Sequence, residues 1–283
     1  SDPLVFHGKQ FARTTRAFIN FHGLLRDGLT LLIQVKTGDI APTRFQGKDK
    51  EDWFCLQVLF KLSPTLEDSL VASNDDELSQ IAELLTKGAR IARADDSKTL
   101  RQRIVQWIID DSGGVLSPPI HKSSKKDRGF KHYWTGKLLC PTGIDWDNEE
   151  NRSDLRSGKK VIPGDAWPTF CFKDYVYNDE DPYEGLLKSD LLVTAYRTIF
   201  FGASSHKDNS RTARKGYAEI YGMRSVSIPS LIYIAAQVRF ALTDSGSFNK
   251  VETISETIAF YNDLLSTIEI PDPELDAIVQ WWN

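Results

Sequence analysis

Cysteine and methionine are scarce in this sequence, which has three cysteines and one methionine among 283 residues. Cys55, Cys140 and Cys171 are odd in number and far apart, which argues against a disulfide framework and for a reducing, intracellular compartment, nucleus or cytoplasm. No apolar run approaches the roughly 18 residues that span a bilayer, so we expect no membrane partner. The first residues also lack the cationic start and apolar stretch of a signal peptide.

Strong catalytic motifs are missing as well. Neither glycine-rich phosphate loop, G-x-x-x-x-G-K-[ST] or G-x-G-x-x-G, is present. Cysteines and histidines do not pair at metal-ligand spacing, so we expect neither a metal nor a cofactor. His206-Lys207-Asp208 matches half of an iron facial triad, but no second histidine follows it. These absences leave open whether the protein is an enzyme.

The composition is that of a folded protein. A 41% hydrophobic content is enough to fill a core, and 26% charged residues with a net charge of −4 exclude the disordered class. Area scaling predicts that about three-quarters of the surface of the unfolded chain is buried on folding.

Apolar residues recur at helical spacing through most of the chain, which predicts a mainly α fold, a single large multi-helix domain. Its N-terminal helical part covers residues 1–112 and its C-terminal helical part residues 184–283. Ser227 and Pro229 begin a helix that is apolar on nearly every side, and such a helix should be central. Asp95-Asp96-Ser97 is expected to end one helix and cap the next.

Residues 113–183 interrupt the helical pattern. Gly113-Gly114 and Pro118-Pro119 are typical of loops, and many aromatic residues follow them. A disordered linker would not carry so many aromatics. We therefore predict an irregular, aromatic-rich middle segment of turns, with room for a short hairpin, packed on the helices.

Charge is segregated along the chain. Residues 121–160 carry ten Lys or Arg against six Asp or Glu, whereas residues 225–283 carry two against eight. Cations interleaved with aromatics can bind phosphates and stack on bases, which favours a polyanion, DNA or RNA, as the partner. The predicted contact residues are Lys125, Lys126, Arg128, Lys131, Lys137, Arg211, Arg214 and Lys215, with Phe130, Tyr133 and Trp134 as stacking residues.

Three alternatives stay open. The cations can instead be neutralised by the acidic C-terminal helices of the same molecule. Arg239 lies in the most apolar helix and needs an acid or carbonyl partner, so an enzyme or ligand-binding protein with a pocket of Arg239, Arg224 and Asp165 is a second hypothesis. A scaffold that binds another protein through exposed aromatics is a third.

The second half contains a series of short segments, namely Gly164–Phe170, Asp179–Leu186, Leu191–Tyr196, Ala218–Met223, Gln237–Leu242, Phe260–Asn262 and Trp281–Asn283. Together they resemble a domain-of-unknown-function family that is abundant in mushroom-forming fungi. The resemblance covers roughly residues 73–283. It implies the family to which the chain belongs and says little about mechanism.

Overall fold

The structure, a computed structural model, describes residues 2–160, 162, 166–202, 215–245, 251–268 and 273–283. Its secondary structure is mainly helical, and no β-strand occurs among these residues, which confirms the mainly α fold. The chain divides into two compact units, residues 1–95 and residues 96–283. That division falls inside one long helix, whereas the sequence suggests boundaries near residues 112 and 183.

Unit 1, residues 1–95, is a helical unit with its own core. Its helices are α1 (Pro3–Thr14), α2 (Phe21–Thr37), α3 (Gly47–Leu62), α4 (Leu66–Ala72) and the first part of α5 (Asp75–Asp111). Asn20 caps α2 by accepting a hydrogen bond from the Gly23 amide. The core is an apolar cluster that draws Phe11, Phe21, Leu25, Leu56 and Leu85 from four of these helices.

Two glycines allow α1 and α5 to approach closely within unit 1. A Cβ on Gly8 would lie 2.2 Å from the carbonyl oxygen of Leu85, and a Cβ on Gly88 would lie 2.2 Å from that of Val5. Both obstacles are backbone atoms, which cannot rotate away. The helix crossing therefore depends on the absence of a side chain at both positions.

Unit 2, residues 96–283, surrounds one buried helix. Its helices after α5 are α6 (Tyr133–Leu139), α7 (Glu149–Ser157), α8 (Asp190–Tyr196), α9 (Tyr217–Ile220), α10 (Ile228–Leu242), α11 (Val251–Ile268) and α12 (Pro273–Trp282). Every residue of α10 from Ser230 to Leu242 is buried, so the predicted central helix is confirmed. A capping box of Ser227 and Ser230 begins α10.

The predicted helix break at Asp95-Asp96-Ser97 is wrong, because α5 runs without interruption from Asp75 to Asp111. The side chains that can cap a helix are used elsewhere. Asp96 accepts a hydrogen bond of 2.5 Å from the Tyr233 hydroxyl, and the Ser97 hydroxyl donates one of 2.6 Å to Gln237 Oε1. All four side chains are buried, so these bonds tie α5 to α10.

The middle segment is packed and irregular. Trp146, Leu155 and Cys140 form a small core with Phe130 and Tyr133 against it. No hairpin is present in the described part of this segment, where two isolated antiparallel bridges occur, Pro141 with Pro168 and Phe172 with Leu186. Proline has no amide hydrogen and cannot extend a ladder, which limits the first bridge to a single pair.

Among the described residues, no helix is both long and apolar enough to cross a membrane.

Gly88→Ala tests the close helix crossing in unit 1. Alanine favours a helix over glycine by about 1 kcal/mol, but overpacking against the Val5 carbonyl costs about 1–3 kcal/mol. We expect a net loss of unfolding free energy, measured by urea denaturation. Gly114→Ala is the control, because its Cβ meets nothing within 4 Å. A Gly88→Ala protein as stable as the wild type would contradict the close approach.

Candidate polyanion-binding region

The C-terminal end of α10 is closed by two cations from residues 121–128, which we call the capping loop. Helix ends leave carbonyl oxygens without intrahelical donors. The Lys125 ammonium donates to the Phe240 carbonyl oxygen and also reaches Thr243 Oγ1 at 3.5 Å. The Arg128 Nη1 donates to the Ala241 carbonyl oxygen at 2.7 Å. Positive charge is also favourable at this negative end of the helix dipole.

Arg128 connects three parts of unit 2. Besides its bond to α10, its Nη2 donates to the carbonyl oxygens of Arg101 at 2.8 Å, Lys122 at 3.2 Å and His121 at 3.3 Å. The side chain is 0 % exposed. Arg128 therefore holds α5, the capping loop and α10 together from inside the unit.

Burial changes the acidity of both cations. The pKa of Lys125 is lowered to about 7, mainly by loss of hydration, with the charges of Arg128 and Arg101 acting in the same direction and Asp244 opposing them. Burial, with the charge of Arg101, lowers the pKa of Arg128 to about 10. The Phe240 ring lies 3.5 Å from the Lys125 ammonium and favours its charged form. Loss of hydration is the larger effect.

Lys125 and Arg128 therefore lie inside unit 2, although the sequence suggests that they form part of an external polyanion surface. In this conformation their charged atoms face carbonyl oxygens of the protein and cannot meet a polymer at the surface. The reason is the buried end of α10, which no sequence pattern in the loop reveals.

Three other cations lie on or beside one short stretch of chain, residues 126–131, and we call Lys126, Lys131 and Arg156 the cationic strip. Lys126 and Arg156 are exposed, and Lys131 has a side chain that is 57% exposed. The Lys131 ammonium lies 3.5 Å from the Lys126 carbonyl oxygen, and Arg156 Nε donates to the Phe130 carbonyl oxygen at 3.3 Å. Sequence reasoning missed Arg156, since it lies 26 positions from Phe130 and nothing but its place in the basic stretch marks it.

Asp244 partly neutralises the strip. Its Oδ2 lies 2.7 Å from the Lys131 ammonium, with both side chains substantially exposed. This pair is one example of the alternative hypothesis, in which acidic residues of the C-terminal part neutralise the cations of residues 121–160. Within the described part of the chain, no carboxylate lies within 4 Å of the charged atoms of Lys126 or Arg156.

Two of the remaining predicted contact residues, Lys137 and Lys215, have their neighbours outside the strip. Lys137 is half-buried, with its ammonium 5.8 Å from the centre of the Trp134 ring. Lys215 pairs with Glu219 at 2.9 Å on the surface. Arg211 and Arg214 lie outside the described residues.

The three predicted stacking aromatics are half-buried and take part in internal packing. Phe130 packs on Trp146 with ring centres 5.9 Å apart, and Tyr133 meets Trp134 edge to face at 5.5 Å. The Tyr133 hydroxyl donates to Asp147 Oδ1 at 2.6 Å. Only part of each ring surface remains available for a base.

The hypothetical pocket centres on Arg239, which is buried where α10 packs on α11. Arg239 is 9% exposed and donates through Nη1 to Thr257 Oγ1 at 3.0 Å. Its guanidinium also lies 5.7 Å from the centre of the Phe260 ring, so it packs α10 against α11. Arg224 is exposed at the surface, and Asp165 lies outside the described residues.

The described residues provide little evidence for a nucleophilic or metal-binding site. All three cysteines are buried and free of disulfides, as expected from the sequence. Burial raises the pKa of the Cys140 thiol to about 11 and that of Cys171 still further. Both are therefore protonated thiols at neutral pH. Across the described ranges, no group of three His, Cys, Asp or Glu side chains is placed to hold a metal.

A family model described as "Family of unknown function (DUF6698)" matches residues 87–283. The chain belongs to this family. The match includes all of unit 2, and so the capping loop and α10 belong to the part that defines DUF6698. The resemblance to a family of unknown function is thus confirmed, from residue 87 instead of about residue 73. No curated protein and no solved structure matches the chain.

Arg128→Met tests the structural role of the capping loop. We expect the unfolding free energy to fall by about 2 kcal/mol or more, because buried carbonyl oxygens of three segments lose their donor. Lys126→Met, two residues away and exposed, should change it by less than about 0.5 kcal/mol. Urea denaturation measures both. Equal effects of the two substitutions would refute the role of Arg128 as an internal clamp.

Lys125 should make stability depend on pH. Its pKa is 10.5 in the unfolded chain and about 7 in the folded one, so between these values the unfolded state binds the extra proton and stability rises with pH. In Lys125→Met this contribution is absent. We expect the stability difference, wild type minus variant, to increase from pH 7 to pH 10 in urea titrations. Parallel pH profiles would show that Lys125 keeps its ordinary pKa.

Proposed function

We propose that this member of DUF6698 is a non-enzymatic interaction domain that binds a polyanion, with nucleic acid, DNA or RNA, as the first candidate. The observation that carries this proposal is the cationic strip of Lys126, Lys131 and Arg156. The strip is smaller than the surface expected from the sequence, because Lys125 and Arg128 are buried and bond to the end of α10.

The strip brings positively charged side chains to one short stretch of chain. Lys131 and Arg156 both bond to the backbone of residues 126–130, so three positive groups border one short stretch of chain. Duplex DNA carries one negative charge per about 1.7 Å of its axis. Neighbouring cations can therefore contact successive phosphates and release their counterions, which supplies affinity without base recognition.

In this proposal the half-buried Tyr133 and Trp134 contribute secondary contacts by stacking on bases. Trp134 and Tyr133 begin α6, directly after Lys131 and His132. A single-stranded chain on the strip would reach the outer edges of these rings, and partial stacking adds affinity with little sequence preference. Arg211, Arg214 and Lys215 remain candidates for additional phosphate contacts in the same proposal.

A second candidate function is binding of another protein. Phe201, Ile220 and Trp281, all in unit 2, are 50%, 43% and 48% exposed. Large apolar side chains at the surface favour protein contacts when they are contiguous.

For either function we propose an intracellular setting, in the nucleus or cytoplasm. We also propose that relatives of this protein are abundant in mushroom-forming fungi.

The double variant K126E/R156E tests the nucleic-acid proposal. Fluorescence anisotropy with labelled duplex and single-stranded DNA is measured at several salt concentrations. For the wild type we expect binding that weakens as salt increases. The variant should bind more weakly and reduce the slope of log affinity against log salt by about 2, roughly 1 per lost phosphate contact.

The matched control is R44E/K50E, which makes the same charge change at exposed positions of unit 1. It should retain most of the wild-type affinity and slope. The proposal fails if the wild type does not bind at low salt, if salt has no effect, or if both double variants lose affinity equally. In that event, mutation of Phe201 and Trp281 becomes the appropriate test of a protein partner.

A further inference from the structure

Four cations of unit 2 lie on α5 and the capping loop, two segments that meet beside the end of α10, and we call Arg101, Lys122, Lys125 and Arg128 the inner cation cluster. Arg128 Nη2 touches the backbone carbonyl oxygens of Arg101 and Lys122 at 2.8 and 3.2 Å. The Lys122 ammonium donates to Gln106 Oε1 at 3.0 Å, on the same helix as Arg101. Lys125 belongs to the same loop, and the charge of Arg101 acts on both Lys125 and Arg128.

Within the described part of unit 2, no carboxylate forms an ion pair with this cluster. Carbonyl oxygens and the end of the helix dipole supply only partial charges. Asp244 is the carboxylate that acts on Lys125, but its Oδ2 is 2.7 Å from the ammonium of Lys131. In the described part of unit 2, none of the four cations has a carboxylate oxygen within 4 Å. Buried cations of like sign without a counter-charge are costly.

Two strong donors of the cluster are also unmatched. The Nε atoms of Arg101 and Arg128 are both buried and have no hydrogen-bond partner among the described atoms. Arg128 already uses its two terminal nitrogens on four carbonyl oxygens, so Nε is the guanidinium nitrogen left without an acceptor. A buried guanidinium N–H without an acceptor loses the free energy of a hydrogen bond to a charged group.

We propose that the inner cation cluster binds an oxyanion, a phosphate ion or a phosphate monoester, that accepts hydrogen bonds from Nε of Arg101 and of Arg128. A neutral acceptor would satisfy the two N–H groups but would leave the charge unbalanced. Phosphate supplies both the acceptor oxygens and the counter-charge, because it has several acceptor oxygens and carries up to two negative charges. Guanidinium groups also bind it in fixed geometry.

The ligand reaches the cluster from the side of Arg101 and Lys122. Arg101 is half-buried and Lys122 is exposed, whereas Lys125 and Arg128 are buried. This site goes beyond the proposed function, since the cationic strip lies outside and binds a polymer by charge. The inner cluster takes a single charged group and uses no residue of the strip.

Thermal unfolding with inorganic phosphate tests the proposal, against sodium chloride at equal ionic strength and pH 7. At a hundredfold excess over the dissociation constant, the unfolding midpoint of the wild type should rise by about 3 °C or more. Arg101→Gln should abolish this rise, since it removes one donor and one charge. It leaves the backbone oxygen that Arg128 uses, so the variant should fold.

Two further variants sharpen the test. Lys98→Gln makes the same charge change at an exposed position on α5 one turn earlier and should keep the full phosphate shift. K126E/R156E, which disables the strip, should also keep it. Without phosphate, Arg101→Gln should unfold no earlier than the wild type, because it removes a like charge from beside Lys125 and Arg128.

The source of the phosphate is resolved by a third arm that compares inorganic phosphate with a 5′-phosphorylated and an unphosphorylated trinucleotide. Tighter binding of the phosphorylated trinucleotide assigns the site to a nucleic-acid terminus, and equal binding assigns it to a free anion or small monoester. The proposal is overturned if phosphate does not stabilise the wild type beyond chloride, or if it stabilises the wild type and Arg101→Gln equally.

Discussion

The carbonyl oxygens at the end of a buried helix need donors, and in unit 2 the arrangement of the capping loop depends on this requirement. Helix α10 is buried from Ser230 to Leu242, so its last turn cannot use water. Lys125 and Arg128 supply the donors from inside. A loop that is rich in lysine and would otherwise remain solvated is thereby folded against α10 and α5.

Meeting this requirement with cations creates an imbalance of charge. Neutral donors would satisfy the carbonyl oxygens without burying charge, whereas Lys125 and Arg128 bring ionic groups whose counter-charge is not supplied by any carboxylate within 4 Å in the described part of the unit. Burial of the Lys125 ammonium, together with the like charges of Arg128 and Arg101, depresses its pKa. Burial separates the basic residues into an inner cluster and an outer strip, for which we propose different ligands.

The long helix α5 shows how tertiary contacts override local signals. Asp95-Asp96-Ser97 has the composition of a helix end followed by a cap. Tyr233 and Gln237 of α10 instead take the side chains of Asp96 and Ser97, and with these polar groups satisfied the backbone continues as a helix. The local preference for a helix end is genuine. The side-chain oxygens of Asp96 and Ser97, however, form hydrogen bonds with residues 137 and 140 positions away in the sequence.

The sequence alone determined the helical class, the central position of residues 228–242, the free cysteines and the membership of a family of unknown function, since periodicity, composition and short segments are properties of neighbouring residues. Only the tertiary structure decided which cations face solvent. Lys125 and Lys126 are adjacent in the chain, yet one is buried beneath α10 and the other is exposed. Burial is set by what packs against a residue from a distant segment, for Lys125 Phe240 and Thr243. Charge patterns along the chain carry no record of that contact.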